Sequence, residues 1–373
     1  SWLARLLSKW ARQYWLPVSL GLILRLIQLQ MPILGIHSWR QADTAAMARH
    51  FANEGTPIWL PQIDWVGAGQ GYVESEFPLF PYLLGQLYKL LGVHEWLGRG
   101  LSVLCSVITI VLVIRLGQQL LDPISAWWGG LFFALLPLGV YYGRTLQAEA
   151  MLLCLAALSM ERLLTWKQNR SFFALFISWL AFCFACLIKV LPLIWLGFPL
   201  IVIQLHHHSM GSALSVSTLS KRLIVMIRSI GPWFFAISSI LIGIIWYGHA
   251  YSLGEMSGLS FGFWGPSSDR SSLSMLFDID IWLNLFLRIS VRVFSVLGLP
   301  IFLVGLWNTR MNSAGRIFGA GLLGWAGCTV FALRASSIHE YYQLPLMLFI
   351  CPLMGRGWQV IRCHSFFNSY SRR

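Results

Sequence analysis

Long apolar runs, broken at intervals by short polar stretches, recur along most of this chain. Windows near 15–35, 99–119, 124–142, 146–164, 172–188, 190–205, 232–250, 282–306, 315–333 and 342–360 have the length and apolarity of membrane-crossing helices, or nearly so. That predicts about ten spans. The stretch 172–205 is interrupted at Lys189-Val190-Leu191-Pro192, which predicts two spans joined by a tight turn. Two polar segments are longer than simple turns, 36–98 and 251–281. In the first, Ala42, Ala45, Ala46, Met47 and Phe51 recur at helical spacing over Arg40 to Glu54. This predicts a short amphipathic helix lying at the interface. Pro78 to Leu91 predicts a second, through Phe80, Tyr82, Leu83, Leu87 and Tyr88. Gly67, Gly69 and Gly71 between them allow a flexible backbone and show no phosphate-loop pattern. The second segment is rich in Ser, Gly and aromatic residues and suits a movable cover over a site. No internal repeat, heptad pattern or sizeable soluble domain is legible. The expectation is an all-α polytopic membrane protein, a single transmembrane domain over 1–373.

Composition strengthens that reading. The 373 residues are 57% hydrophobic and 11% charged, whereas soluble domains carry roughly a quarter charged residues. A net charge of +13 could suggest nucleic acid, but the basic residues lie in short loops between spans, which excludes that class. Placing the N-terminus in the cytoplasm puts most of them inside, including Arg5, Lys9, Arg115, Arg162, Lys167, Lys221 and Arg222. Of the 14 acidic residues, only Asp122 and Glu161 then lie inside. The opposite face is rich in carboxylates, with Asp43, Glu54, Asp64, Glu74 and Glu76 in the first long loop alone. The first span lacks a small-residue cleavage site and is expected to remain with the chain. Cys183 and Cys186 form C-x-x-C inside an apolar run, where cysteine is ordinarily a packing residue.

Candidate chemistry concentrates at the outer face. Asp43 closely follows the first span in R-Q-A-D and is either a solvated helix-start acid or a reactive carboxylate. Glu74 and Glu76 alternate, so an extended backbone would aim both at one face. Arg144, Gln147 and Glu149 stand at the mouth of a span, where ionisable groups are costly and face a cavity or a partner. Arg144–Glu149 pairing is the structural alternative. Lys189 either snorkels or neutralises an anionic ligand. His249 ends one span and His339 opens another; a lone interfacial histidine is more often a hydrogen-bonding residue than a ligand. The run His206-His207-His208 lies on the other side and receives no role.

Five features in order are together specific. They are H-S-W-R-Q-A-D after the first span, E-S-E-F-P-L-F-P-Y closing the first loop, Arg144 to Glu149, the Lys turn L-I-K-V-L-P, and H-x-Y-Y-x-L-P-L at the last span. From about residue 15 to 360 this order resembles the C-type-fold membrane glycosyltransferases that use polyprenyl-phosphate sugars. That family 39-like group includes protein O-mannosyltransferases and lipid A aminoarabinose transferases. The resemblance implies inverting transfer of a sugar from a polyprenyl-phosphate donor to a hydroxyl of a glycan, lipid or protein acceptor. The site would face the outer (periplasmic) side of a bacterial inner membrane. It implies Asp43 as general base, Glu149 as a second catalytic carboxylate, and Lys189, Arg270 and Arg334 as contacts to the donor phosphate. Arg40, Glu74, Glu76, Tyr142, Arg144, His339, Tyr341 and Tyr342 would form the site wall. Glu76 with His249 resembles the place where some relatives hold a divalent metal, and Glu74 could replace Glu76.

The sequence also departs from the family. The acidic D-E and H-P-P patterns of protein O-mannosyltransferases are not kept, and the W-W-D-Y-G signature of oligosaccharyltransferases is missing. Little chain follows Arg356, so the C-terminal soluble domain of several relatives is not expected. A transporter of the same lipid is the competing class, but it would show inverted repeats and spans interrupted near the midplane.

Overall fold

The computed structural model of the protein describes residues 2–66, 69–205, 230–261 and 273–363. Among these the regular structure is helical, with only two isolated bridges, Gln62 to Tyr72 and Glu74 to Ser260. The chain opens with α1 (Trp2–Leu26) and then the loop helices α2 (Ser38–Asn53) and α3 (Leu79–Leu91). Next come α4 (Glu95–Leu120), α5 (Pro123–Leu135), α6 (Pro137–Tyr142), α7 (Glu149–Asn169) and α8 (Phe172–Ile188). After the Lys189 turn follow α9 (Pro192–Trp195), α10 (Gly197–Leu205) and α11 (Ile230–Ser257). The last part contains α12 (Leu273–Leu276), α13 (Ile279–Arg288), a π turn (Ile289–Val293), α14 (Gly298–Thr309), α15 (Ser313–Phe331) and α16 (Leu333–Ile338). A 3-10 turn (Glu340–Gln343) then leads into α17 (Leu346–Cys363).

Both expected loop helices form. On α2 the buried positions are Gln41, Ala45 to Ala48 and Phe51, whereas Ala42 is exposed; Gln41 takes the inward place expected of Ala42. The expected spans are less regular than their hydropathy suggests. Among the described residues, three helices are individually long and apolar enough to cross a membrane: Glu95–Leu120, Gly231–Ser257 and Ser313–Phe331. Shorter apolar helices lie at Tyr14–Leu26, Pro123–Leu135, Phe172–Ile188 and Pro192–Leu205. The first helix stops at Leu26, well before residue 35. The window 282–306 is two helical pieces bent by 92°, through the π turn and left-handed backbone at Ser295 and Val296.

The window 124–142 also breaks, at Leu136-Pro137. Proline has no N–H and cannot bond the carbonyl four residues back. Buried Arg25 fills the gap: its guanidinium donates to the carbonyls of Phe133 (3.2 Å), Ala134 (2.9 Å) and Gly139 (3.1 Å). It also donates to the Ser106 hydroxyl (2.6 Å) and the Gly21 carbonyl (3.0 Å). Irregular backbone within a membrane segment is tolerated only when protein satisfies it in this way. One cation in a span is thus a structural plug, and it fixes the segment leading to Glu149.

α17 packs against α5 and α14. A Cβ on Gly355 would meet the Ser125 carbonyl oxygen at 2.1 Å, so glycine permits this close approach.

Candidate active site

Four connections bring the outer segments onto the ends of α7 and α8. Leu146 N–H donates to Gln41 Oε1 (3.1 Å), tying the start of α2 to the segment before Glu149. Phe77 N–H donates to the Leu187 carbonyl (3.0 Å), placing the Glu76 segment over the end of α8. From α11, Trp246 Nε1 donates to the Ser75 carbonyl (3.3 Å) and Tyr247 Oη to the Leu187 carbonyl (3.2 Å). α8 ends at Ile188, and Lys189 follows in extended backbone before Pro192 starts α9.

The result is a cluster of charges and rings. Lys189 Nζ donates to Glu149 Oε1 at 2.7 Å and lies over the rings of Tyr341 (4.4 Å) and Tyr342 (5.2 Å). Arg40 pairs with Glu76 at 2.5 Å, its guanidinium 5.6 Å from the Tyr341 ring centre. Burial opposes the charge on Lys189, but Glu149 and then Glu76 outweigh it and hold the ammonium above the ordinary lysine range. Glu149 is 3% exposed, and its second oxygen, Oε2, has no hydrogen-bond partner. Glu149, Lys189, Ser336, Tyr341 and Tyr342 line a pocket of about 20 Å³.

Asp43 lies one turn along α2 from Arg40. With Arg40, Ser75, Glu76 and Phe261 it lines a second cavity of about 50 Å³, completed by Ala148 and Ile188, the neighbours of Glu149 and Lys189. Asp43 accepts one hydrogen bond, from Trp65 Nε1 at 2.9 Å. Partial burial raises its proton affinity above that of an ordinary aspartate, against the lowering effects of Trp65 and Arg40. A half-buried carboxylate with raised proton affinity beside a cavity can accept a proton.

His339 stacks on Tyr341 (centroids 5.2 Å, 14° between planes) and meets His37 edge-on at 4.9 Å. Burial and then the charges of its surroundings push its pKa down to about 4, so the ring is neutral near pH 7. Tyr142 Oη donates to Glu340 Oε1 (3.1 Å), and Glu340 also pairs with Arg292.

Other expected residues lie apart. Glu74 and Glu76 take different partners, and Glu76 meets Arg40. Glu74 is 4% exposed and accepts from the Ser260 hydroxyl, and its backbone N–H donates to the Leu259 carbonyl (2.9 Å). It therefore clasps the two outer segments together and does not line either cavity at Glu149 or Asp43. Arg144 turns away from Glu149 and donates to the Ile27 carbonyl (2.7 Å) at the end of α1. Arg334 is exposed on α16 and is not in the lining of the Glu149–Lys189 pocket. Arg270 lies outside the described residues, as do Gly67 and the His206-His207-His208 run. His249 hydrogen-bonds the Trp59 carbonyl (2.7 Å), and Glu76 is already paired with Arg40. Among the described residues no three His, Cys, Asp or Glu gather as a metal site.

Sequence reasoning missed Trp65, His37, Glu340 and Phe261 as site elements. His37 was within reach, since it directly precedes the R-Q-A-D segment. Trp65 and Phe261 reach Asp43 from distant loop positions, without any local signal.

Residues 75–235, which include Glu76, Glu149 and Lys189, match the family model of dolichyl-phosphate-mannose-protein mannosyltransferases. Among solved structures, ArnT from Cupriavidus metallidurans bound to undecaprenyl phosphate superposes with a TM-score of 0.59 at 16% identity, over 94% of this chain and 60% of that one. The apo state of ArnT gives 0.61 at 15% identity, over 98% and 62%. AglB from Archaeoglobus fulgidus, in complex with an inhibitory peptide and a dolichol-phosphate, gives 0.52 at 13% identity, over 95% and 51%. No curated protein sequence matches the chain. The chain spans about three fifths of the ArnT structures and half of AglB. The protein is an all-α integral membrane protein of the C-type glycosyltransferase fold, the architecture that its motif order led us to expect.

Proposed function

We propose that this protein is an inverting glycosyltransferase that moves a sugar from a polyprenyl-phosphate donor to an acceptor hydroxyl at the outer face of a bacterial inner membrane. The mannosyltransferase family match over residues 75–235 supports the reaction class. The lipid phosphates named for ArnT and AglB support the donor class. Loops rich in carboxylates on the side opposite most of the arginines and lysines support the outer-face orientation.

In the proposed reaction the acceptor oxygen attacks the anomeric carbon. The bond from that carbon to the phosphate oxygen breaks, and lipid phosphate leaves. The acceptor proton passes to Asp43. Lys189, held charged over two tyrosine rings, meets the negative charge on the departing phosphate. Glu149 fixes the Lys189 ammonium and offers its unpaired Oε2 to the acceptor. Arg40 and Glu76 form the wall between base and cation. A divalent metal is not assigned a part.

The observation carrying this reading is the adjacency of the two cavities. Asp43, which accepts from the neutral Trp65 indole, lines one of them with Ala148 and Ile188, the chain neighbours of Glu149 and Lys189. Asp43→Asn is expected to retain folding and donor binding while losing transfer by about 100-fold. Transfer assayed with purified protein and a polyprenyl-phosphate sugar measures this, and near-normal turnover would remove Asp43 as the base.

A further inference from the structure

α13 passes directly into a π turn, an arrangement common at functional sites. Arg288 and Arg292 stand one turn apart there and line an open groove of about 500 Å³ with Asn284, Ile281, Leu287, Val291 and Ser337 of α16. The surrounding surface is apolar: Leu283, Phe286, Leu287 and Val291 are each at least half exposed. This is therefore a cationic groove in a surface suited to lipid.

Its charges are not balanced. Arg292 pairs with Glu340. Arg288 makes one long hydrogen bond, 3.5 Å to the Ser336 carbonyl. Two guanidiniums thus face one carboxylate in a helix that reads as part of a span. A cation there is costly without a partner. Guanidinium also presents a planar fork that suits phosphate oxygens bidentately. Asn284 and Ser337 add neutral donors, while Ile281, Leu287 and Val291 suit the adjoining hydrocarbon.

We propose that this groove binds the phosphate headgroup of an anionic membrane lipid, at a site separate from the Lys189 pocket. The inference does not depend on the donor assignment, since it rests on α13, its π turn and α16. Glu340 links the two regions: it pairs with Arg292 on the groove side and accepts from Tyr142 on the other, next to Tyr341.

The test uses the full chain in nanodiscs of phosphatidylcholine with graded phosphatidylglycerol, with retained lipid counted by native mass spectrometry. The expected result is preferential retention of phosphatidylglycerol, weakened about tenfold by Arg288→Gln, largely kept in Arg288→Lys, and unaffected by Lys189→Ala. Unchanged retention in Arg288→Gln overturns the site. Loss of retention in Lys189→Ala alone would assign the lipid to the other pocket and also overturn it. Complete displacement by millimolar inorganic phosphate would make the ligand a soluble anion, against the proposal. Should Arg288→Gln fail to fold, Ser337→Phe fills the groove with both arginines kept; the same loss supports the site and normal retention overturns it.

Discussion

Two buried glutamates near opposite ends of the α4–α7–α8 helices show what separates a structural charge from a working one. Glu161, fully buried on α7, has both oxygens engaged. Oε1 accepts from Arg115 Nε (2.8 Å), an Arg162 terminal nitrogen (2.6 Å) and Gln119 Nε2 (3.1 Å), and Oε2 accepts from Arg162 Nε. Two cations enclose one anion there. Glu149, at the start of the same helix, has one oxygen on Lys189 and one without a partner, beside a pocket. The first cluster is complete. The second leaves an acceptor, a cation over two aromatic rings and a nearby basic carboxylate open to a ligand.

The largest expected effect falls on the open cluster. Lys189→Ala should weaken binding of a polyprenyl-phosphate donor by about 30-fold, the loss of one charged hydrogen bond to phosphate. Glu149 would be left without its cation, so the double variant Lys189→Ala/Glu149→Gln keeps the pocket neutral. It should still bind donor poorly while melting close to the unaltered protein. Donor titration and thermal unfolding of both variants decide this; normal affinity in either would remove Lys189 from the phosphate site.

The closed cluster should respond in the opposite way. Glu161→Gln leaves two guanidiniums facing an amide, at a cost of about 2 kcal/mol because Arg115 still reaches solvent. The thermal midpoint should fall while donor affinity and transfer per folded molecule stay nearly constant. A folded Glu161→Gln protein that had lost transfer would erase the distinction between the two clusters.

How far these regions were legible in sequence follows from the same contrast. Hydropathy and the order of motifs were sufficient for the C-type architecture, and the helical spacing over 40–54 and 78–91 was sufficient for α2 and α3. Glu149 and Lys189 were recognisable as charges at the mouths of spans, because such positions are costly. Whether each was closed or open was not legible, since that depends on partners far along the chain: Lys189 is 40 residues from Glu149 and Glu76 is 36 from Arg40. Arg144 illustrates the failure. It stands five residues before Glu149 yet serves the end of α1. Glu74 and Glu76 go to different partners on distant segments, Ser260 and Arg40, which an alternation rule cannot anticipate. Arg25 looked like any charge in a span, and only the carbonyls released at Pro137 explain it.

The smallest effect concerns Asp43, a carboxylate beside the site that accepts from a neutral donor. Burial raises the proton affinity of Asp43, so its carboxylate is lost at a higher pH than that of an ordinary aspartate as the medium is acidified. If Asp43 is the base, transfer is full above that point and falls as pH drops through it. Trp65 donates its hydrogen bond to the ionised form and so holds the proton affinity down. Trp65→Phe removes one neutral donor, worth about 1 kcal/mol, and should move the acid limb of the pH profile upward with little change in the plateau rate. Glu161→Gln, remote from Asp43, should leave that limb in place. A limb that stays fixed in Trp65→Phe, or moves to lower pH, would mean that the titrating base is not Asp43, and Glu149 with its open Oε2 would be the carboxylate to test next.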